Sequence, residues 1–66
     1  MKQTRYGEIV EISPGIEQVK IRFEDTSALW VPIAKMPKDF KLGEIVAVTL
    51  NIELDSIRKL EGPSVG

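Results

Sequence analysis

The amino-acid sequence predicts an all-β fold, a small barrel built from five short strands. Several short segments are rich in β-branched residues or alternate between apolar and polar side chains, which is typical of strands. Turn-forming residues such as proline, glycine and aspartate separate these segments. With only 66 residues and no cysteine, the chain fits one small domain without disulfides. We therefore expect a single domain over residues 1–61 and a flexible tail over residues 62–66.

The first predicted strand covers residues 5–12 and ends at the Ser13-Pro14-Gly15 turn, where glycine would accept a positive φ. Its alternation is irregular, because Glu8 shares a face with Val10 and Ile12. A first strand that bends and takes part in both sheets of a closed barrel has this pattern, and Gly7 would permit the bend.

Residues 17–23 form the second predicted strand, with a clear period of two. Val19, Ile21 and Phe23 point to one side, the expected core, while Lys20 and Arg22 point to the other. The second strand should therefore have a basic outer face.

Residues 28–33 form the third predicted strand, after a polar turn at residues 24–26. Leu29 and Val31 lie on the core side of the pattern, and Trp30 and Pro32 on the other. Proline cannot donate a hydrogen bond to a neighbouring strand, so this strand should lie at an edge or end there.

Residues 34–42 lack a period of two and contain Pro37, which favours a short helical turn beginning near that proline. Residues 44–54 then show the strongest alternation in the chain and predict one long fourth strand. Residues 56–60 are predicted to form a fifth strand, with a one-turn helix capped by Asp55 as the alternative. This order of elements predicts a Greek-key barrel of the OB type, with an SH3-like barrel as the alternative.

Composition limits the function more than it identifies it. Nine basic and ten acidic side chains give a net charge of −1, which counts against a protein that grips phosphates without sequence preference. Histidine and cysteine are absent, so we expect no enzyme, no metal site and no cofactor. No apolar run approaches the roughly 20 residues of a membrane span, and no leader pattern follows the amino terminus. We expect a cytoplasmic protein without a membrane partner.

Four segments resemble those of one known family. Residues 6–12 (YGEIVEI) look like the G-x-V opening strand of S1-type domains, and residues 30–34 (WVPIA) stand where that family has L-V-H-I-S. Residues 41–48 (KLGEIVAV) resemble its K-V-G-D-x-V-x-V segment, and residues 52–60 (IELDSIRKL) resemble its closing hairpin. Over nearly its whole length the chain is similar to this RNA-binding OB module of ribosomal protein S1 and its relatives. The resemblance implies an OB barrel that binds RNA.

Two positions depart from the family pattern. An aromatic residue follows the glycine of the first turn in the family, whereas Ile16 follows Gly15 here, and the family's histidine position holds Pro32. Two of the usual base-contacting groups are therefore missing, and we expect any binding to be weak.

The candidate nucleic-acid site lies on the outer face of the second and third strands. Lys20 and Arg22 should share that face with Trp30, which would place cations beside a flat ring on which a base can stack. The alternative for Trp30 is that it closes one end of the barrel, and for the two cations that they form an ordinary solvated face. Further candidates for the same site are Tyr6, Lys35, Lys38, Arg58 and Lys59.

A protein-interaction module is the alternative function. The charge is near neutral and the core is small, so the chain could gain stability from a second copy of itself. Trp30, Pro32 and an open sheet edge would then meet a protein partner, either another protein or a second copy of the chain in a homodimer. Tyr6 and Phe40 are expected at the edge of the core, and Met36 as a cap of the barrel.

Overall fold

The computed structural model describes residues 2–60 and confirms the predicted all-β class. Five antiparallel strands form one strongly curled sheet, a half-barrel, in the order β3-β2-β1-β4-β5. The strands are β1 Gln3–Ser13, β2 Gln18–Phe23, β3 Ala28–Pro32, β4 Ile45–Leu50 and β5 Leu54–Lys59. Two short 3₁₀ turns accompany them, at Pro14–Ile16 and Ile33–Lys35. The predicted tail over residues 62–66 lies outside the described residues.

The long first strand joins the two halves of the sheet, as its irregular alternation predicts. Its first part pairs with β4 and its second part with β2, and the two pairings overlap at Gly7 and Glu8. The register of the β1–β2 pair shifts between Ile9 and Glu11, which bends the strand. A Cβ added at Gly7 would lie 2.5 Å from Cγ2 of Ile21, so glycine is needed there for close packing.

The core lies on the inner face of the curl and is entirely apolar. Opposed residues such as Ile9 and Ile21, or Val19 and Val31, bring the inward side chains of neighbouring strands together. Among the described residues no buried side chain is polar, so the core is stabilised by apolar burial alone. Its buried members are Ile9, Val19, Ile21, Phe23, Val31, Val46, Val48 and Ile57.

The curl does not bring β3 and β5 into a hydrogen-bonded pair, so the described strands do not complete the closed barrel. The segment between β3 and β4 links these two sides instead. It begins where the amide of Ile33 donates to the carbonyl of Glu17, and it reaches β5 where Lys59 Nζ donates to the carbonyl of Asp39. Met36 and Phe40 pack from it against the core, as predicted for a barrel cap and a core-edge ring.

The turn after β3 forms earlier than predicted. It covers Ile33–Lys35 and ends at Met36, whose extended backbone (φ −78°, ψ 152°) precedes Pro37. The residue before a proline is pushed out of the helical region, so Pro37 ends this turn and does not begin it.

The first turn also differs from its prediction. Pro14–Ile16 forms a 3₁₀ turn, and the left-handed residue that closes it is Glu17, with φ 57°, not Gly15. The amide of Glu17 donates to the carbonyl of Pro14 at 3.0 Å, which stabilises this closure.

The prediction of a single long fourth strand over residues 44–54 is wrong, because the chain reverses after Leu50. The amide of Asn51 donates to the carbonyl of Glu53, and Leu54 pairs with Leu50 to begin β5. Ile52 at the tip is 94% exposed, although it continues the apolar alternation of the strand. A strand is confirmed over the stretch after Asp55, where a one-turn helix was the alternative.

Candidate functional site

The second and third strands pair in the register that places the predicted site residues on one outer face. Lys20 is opposite Trp30, and Arg22 is opposite Ala28. The Lys20 ammonium lies 5.9 Å from the centroid of the Trp30 ring, within reach of a cation–π interaction. Trp30 is 40% exposed and does not belong to the core. Trp30 therefore lies on the surface and does not close the end of the barrel.

Acidic side chains of β1 lie beside these cations. Glu11 is opposite Lys20, and Glu8 is opposite Arg22 with 3.8 Å between a carboxylate oxygen and a guanidinium nitrogen. Both side chains of the Glu8–Arg22 pair are about half exposed, so water screens this attraction. This part of the outer face thus carries two cations and two carboxylates and is close to electrically neutral.

The first, fourth and fifth strands extend the same face. Tyr6 is opposite Ala47, which is opposite Arg58, so these three side chains point outward together. Tyr6 is 50% exposed, whereas the sequence analysis expected a core-edge ring. The difference arises because β1 pairs with β4 at this position and its outward residues face solvent there. Within residues 2–60, Arg58 forms none of the ion pairs.

Tyr6 stands between two open pockets. Towards β2 it lines a pocket of about 530 Å³ together with Glu8, Arg22 and Ile45. Towards β5 it lines a second pocket, of about 540 Å³, with Arg58 among the other lining residues. The ring is therefore accessible from both sides, a position suited to contact with a flat ligand.

The remaining predicted site residues lie elsewhere. Lys59 is opposite Val46, on the inner side of the sheet, and its ammonium is 3.8 Å from a Glu44 carboxylate oxygen. This ammonium also donates to the Asp39 carbonyl at 2.7 Å, so it fastens the loop before β4. Lys35 ends the second 3₁₀ turn and Lys38 follows it, both exposed and outside the outer face of the sheet. The structure thus joins Tyr6 and Arg58 to the Lys20, Arg22 and Trp30 group and separates the other three lysines from it.

An electrostatic cluster at the turn between β2 and β3 was missed by the sequence analysis. The Arg5 guanidinium lies 4.3 Å from the centroid of the Phe23 ring and 3.1 Å from an Asp25 carboxylate oxygen. Hydrogen bonds from the hydroxyl and amide of Ser27 lower the pKa of Asp25, and the charge of Arg5 lowers it further. This cluster orders the turn. The acidic turn Glu24-Asp25-Thr26 was visible in the sequence, but its partner Arg5 lies far away along the chain.

Two exposed apolar residues beside Tyr6 were also missed. Ile45 and Leu60 are each more than two-fifths exposed, and they line the pockets on either side of the tyrosine ring. The outward position of Ile45 follows from the alternation of β4, in which Val46 and Val48 point inward. The outward half of that alternation was therefore a signal in the sequence for an exposed Ile45.

Residues 2–60 contain no group of three or more His, Cys, Asp or Glu side chains that could hold a metal ion. Within the same residues no helix has the length and apolar character needed to cross a membrane. The chain matches no protein-family model, no curated protein and no solved structure.

Proposed function

We propose that this chain is a non-catalytic, cytoplasmic module that binds single-stranded nucleic acid, RNA in particular, weakly and through the outer face of its sheet. The observation that supports the proposal is the presence of two exposed aromatic rings, Trp30 and Tyr6, on a face that also carries three cations. These cations are Lys20, Arg22 and Arg58. The resemblance to S1-type RNA-binding domains points to the same function.

The energetic contributions of this face indicate weak binding. A base stacked on an aromatic side chain contributes about 1–3 kcal/mol, and two rings give only two such platforms. Three cations can attract phosphates, but Glu8 and Glu11 lie beside two of them and reduce the local positive potential. Stacking should therefore contribute more than phosphate attraction, and binding should be seen best at low salt.

The test is a fluorescence-anisotropy titration of short labelled single-stranded RNA and DNA at low salt. Replacement of Trp30 by alanine should weaken binding by about 5- to 150-fold, because it removes a stacking platform. Ile52→Ala is the matched control: it removes another exposed apolar side chain, at the tip of the β4–β5 hairpin, and should leave the affinity unchanged. Absence of saturable binding by the unaltered chain would refute the proposed function.

A protein-interaction module remains a second candidate, and one observation favours it. Within the described residues β3 is an edge strand, and its outward residues Trp30 and Pro32 are both exposed. An unpaired edge beside an exposed tryptophan can add a strand of another chain. Sedimentation at increasing concentration tests this candidate in its homodimeric form. A monomer throughout, with no partner captured in a pull-down, would remove it.

A further inference from the structure

The pocket between Tyr6 and β2, here called the Tyr6 pocket, opens on the outer face of the sheet. It lies where the β1–β2 pairing begins at Gly7 opposite Phe23, and where the β1–β4 pairing ends at Glu8 opposite Ile45. The side chains that define its chemistry are Tyr6, Glu8, Arg22, Glu24 and Ile45. The tyrosine ring and the isoleucine thus form apolar walls below a charged rim, an arrangement suited to a flat, polar-edged ring.

The rim of the Tyr6 pocket carries two anionic groups and one cationic group. Glu8 and Glu24 supply carboxylates, which accept hydrogen bonds, and Arg22 supplies a guanidinium, which donates them. The rim therefore has a net negative charge and repels a phosphate. A nucleobase is neutral, so the base is the part of a nucleotide that this rim can accept. Lys20 and Arg58, the two cations of the outer face that do not line this pocket, remain for the phosphates.

We infer that the Tyr6 pocket binds guanine in preference to the other bases, with the ring against Tyr6. The Watson–Crick edge of guanine presents two donors, N1–H and N2–H, and one acceptor, O6, which complements two carboxylates and one guanidinium. Cytosine presents the reverse, one donor and two acceptors. Adenine and uracil lack a pair of adjacent donors on that edge. Unstacked bases of single strands are commonly read by hydrogen bonds on this edge.

This inference rests on the proposed function and names the base that the same face selects. The Glu8–Arg22 pair supports it, since their 3.8 Å separation is longer than a normal hydrogen bond and leaves both groups able to turn towards a ligand. Their exposure of about one half allows that movement without disturbance of the core.

The experiment compares nine-nucleotide RNAs that consist of uridines with one central guanine, cytosine or adenine, titrated at low salt with anisotropy as the readout. We expect the guanine oligonucleotide to bind about five-fold or more tightly than the cytosine and adenine oligonucleotides. The ratio of affinities is the measured quantity, so changes that affect all three oligonucleotides alike cancel.

The decisive variant replaces both rim carboxylates by amides, Glu8→Gln with Glu24→Gln, and should reduce the preference for guanine to below about two-fold. Glu17→Gln with Glu53→Gln is the matched control. It changes the net charge by the same amount at two exposed positions outside the Tyr6 pocket and should preserve the preference. Circular dichroism of all variants would establish that each is folded.

Equal affinities for the three oligonucleotides, or a preference for cytosine, would overturn the guanine assignment while the proposed function stands. Loss of the preference in the control variant would also overturn it, because the effect would then be one of overall charge. If no oligonucleotide binds, both the assignment and the proposed function fail.

Discussion

Gly7 shows how one residue can be required by packing more than by backbone freedom. Its backbone does not adopt a positive φ, yet a Cβ there would meet Cγ2 of Ile21 at 2.5 Å and Cδ1 of Phe23 at 2.9 Å. Both neighbours belong to the buried core, so they have little space into which to move. The sequence indicated a bend near Gly7, but this close approach depends on β2 lying directly against it.

Replacement of Gly7 by alanine should therefore destabilise the fold by about 1–3 kcal/mol, the usual cost of overpacking a core. Urea unfolding monitored by circular dichroism measures the change. Gly15→Ala is the control, because a Cβ at Gly15 meets nothing within 4 Å and its φ is not positive. Equal stability of the Gly7 variant and the unaltered chain would show that β1 and β2 are farther apart than described.

The ionisation of a single residue, Asp25, makes the stability of the fold depend on pH. Ser27 and Arg5 lower its pKa in the folded state, so the ionised carboxylate stabilises the fold above the ordinary pKa of about 4. That contribution is lost as the pH falls through the lower folded pKa. Asp25→Asn should thus lower the melting temperature at pH 7 and have a smaller effect near pH 2. A melting difference of equal size at both pH values would contradict this assignment.

The β4–β5 hairpin is the element that sequence reasoning described least well. Residues 44–54 alternate without interruption, so periodicity alone could not show that the chain reverses at residues 51–53. The reversal places Ile52 in solvent although it shares its alternation with the buried Val48. Turn-forming residues such as Asn51 were a local signal for the reversal, but the apolar alternation over residues 44–54 was the stronger signal and favoured one continuous strand. Strands 2 and 3 were predicted well because their alternation stops where the chain turns.

The reversal of the chain in this hairpin predicts that truncation of two residues in the same apolar alternation affects stability very differently. Val48→Ala should cost about 2 kcal/mol, since it removes buried methyl groups and leaves a cavity. Ile52→Ala should change the free energy of unfolding by less than about 0.5 kcal/mol, because the side chain is in water. Denaturant unfolding of both variants provides the comparison. A large loss at Ile52 would indicate that β4 continues beyond Leu50.

The whole molecule combines an entirely apolar core on the inner side of the sheet with an outer face of rings and opposite charges. The inner face could be predicted from the sequence, because alternation divides each strand into an inward and an outward set. The position of Tyr6 beside Arg58 and Arg22 could not, since it depends on β1 pairing with β4 along its first half and with β2 along its second. Lys59 lies away from the site for a different reason, because it is opposite the inward Val46 and its ammonium donates to the Asp39 carbonyl.

The central claim is that single-stranded nucleic acid contacts this outer face. Titration of an unlabelled single-stranded RNA into isotope-labelled protein, followed by amide and indole N–H chemical shifts, tests it most directly. We predict that the Trp30 indole and the amides of Tyr6, Lys20 and Arg22 shift and saturate together, while those of Ser27 and Ile52 remain in place. Unchanged spectra, or shifts confined to the β2–β3 turn and the hairpin tip, would contradict the account.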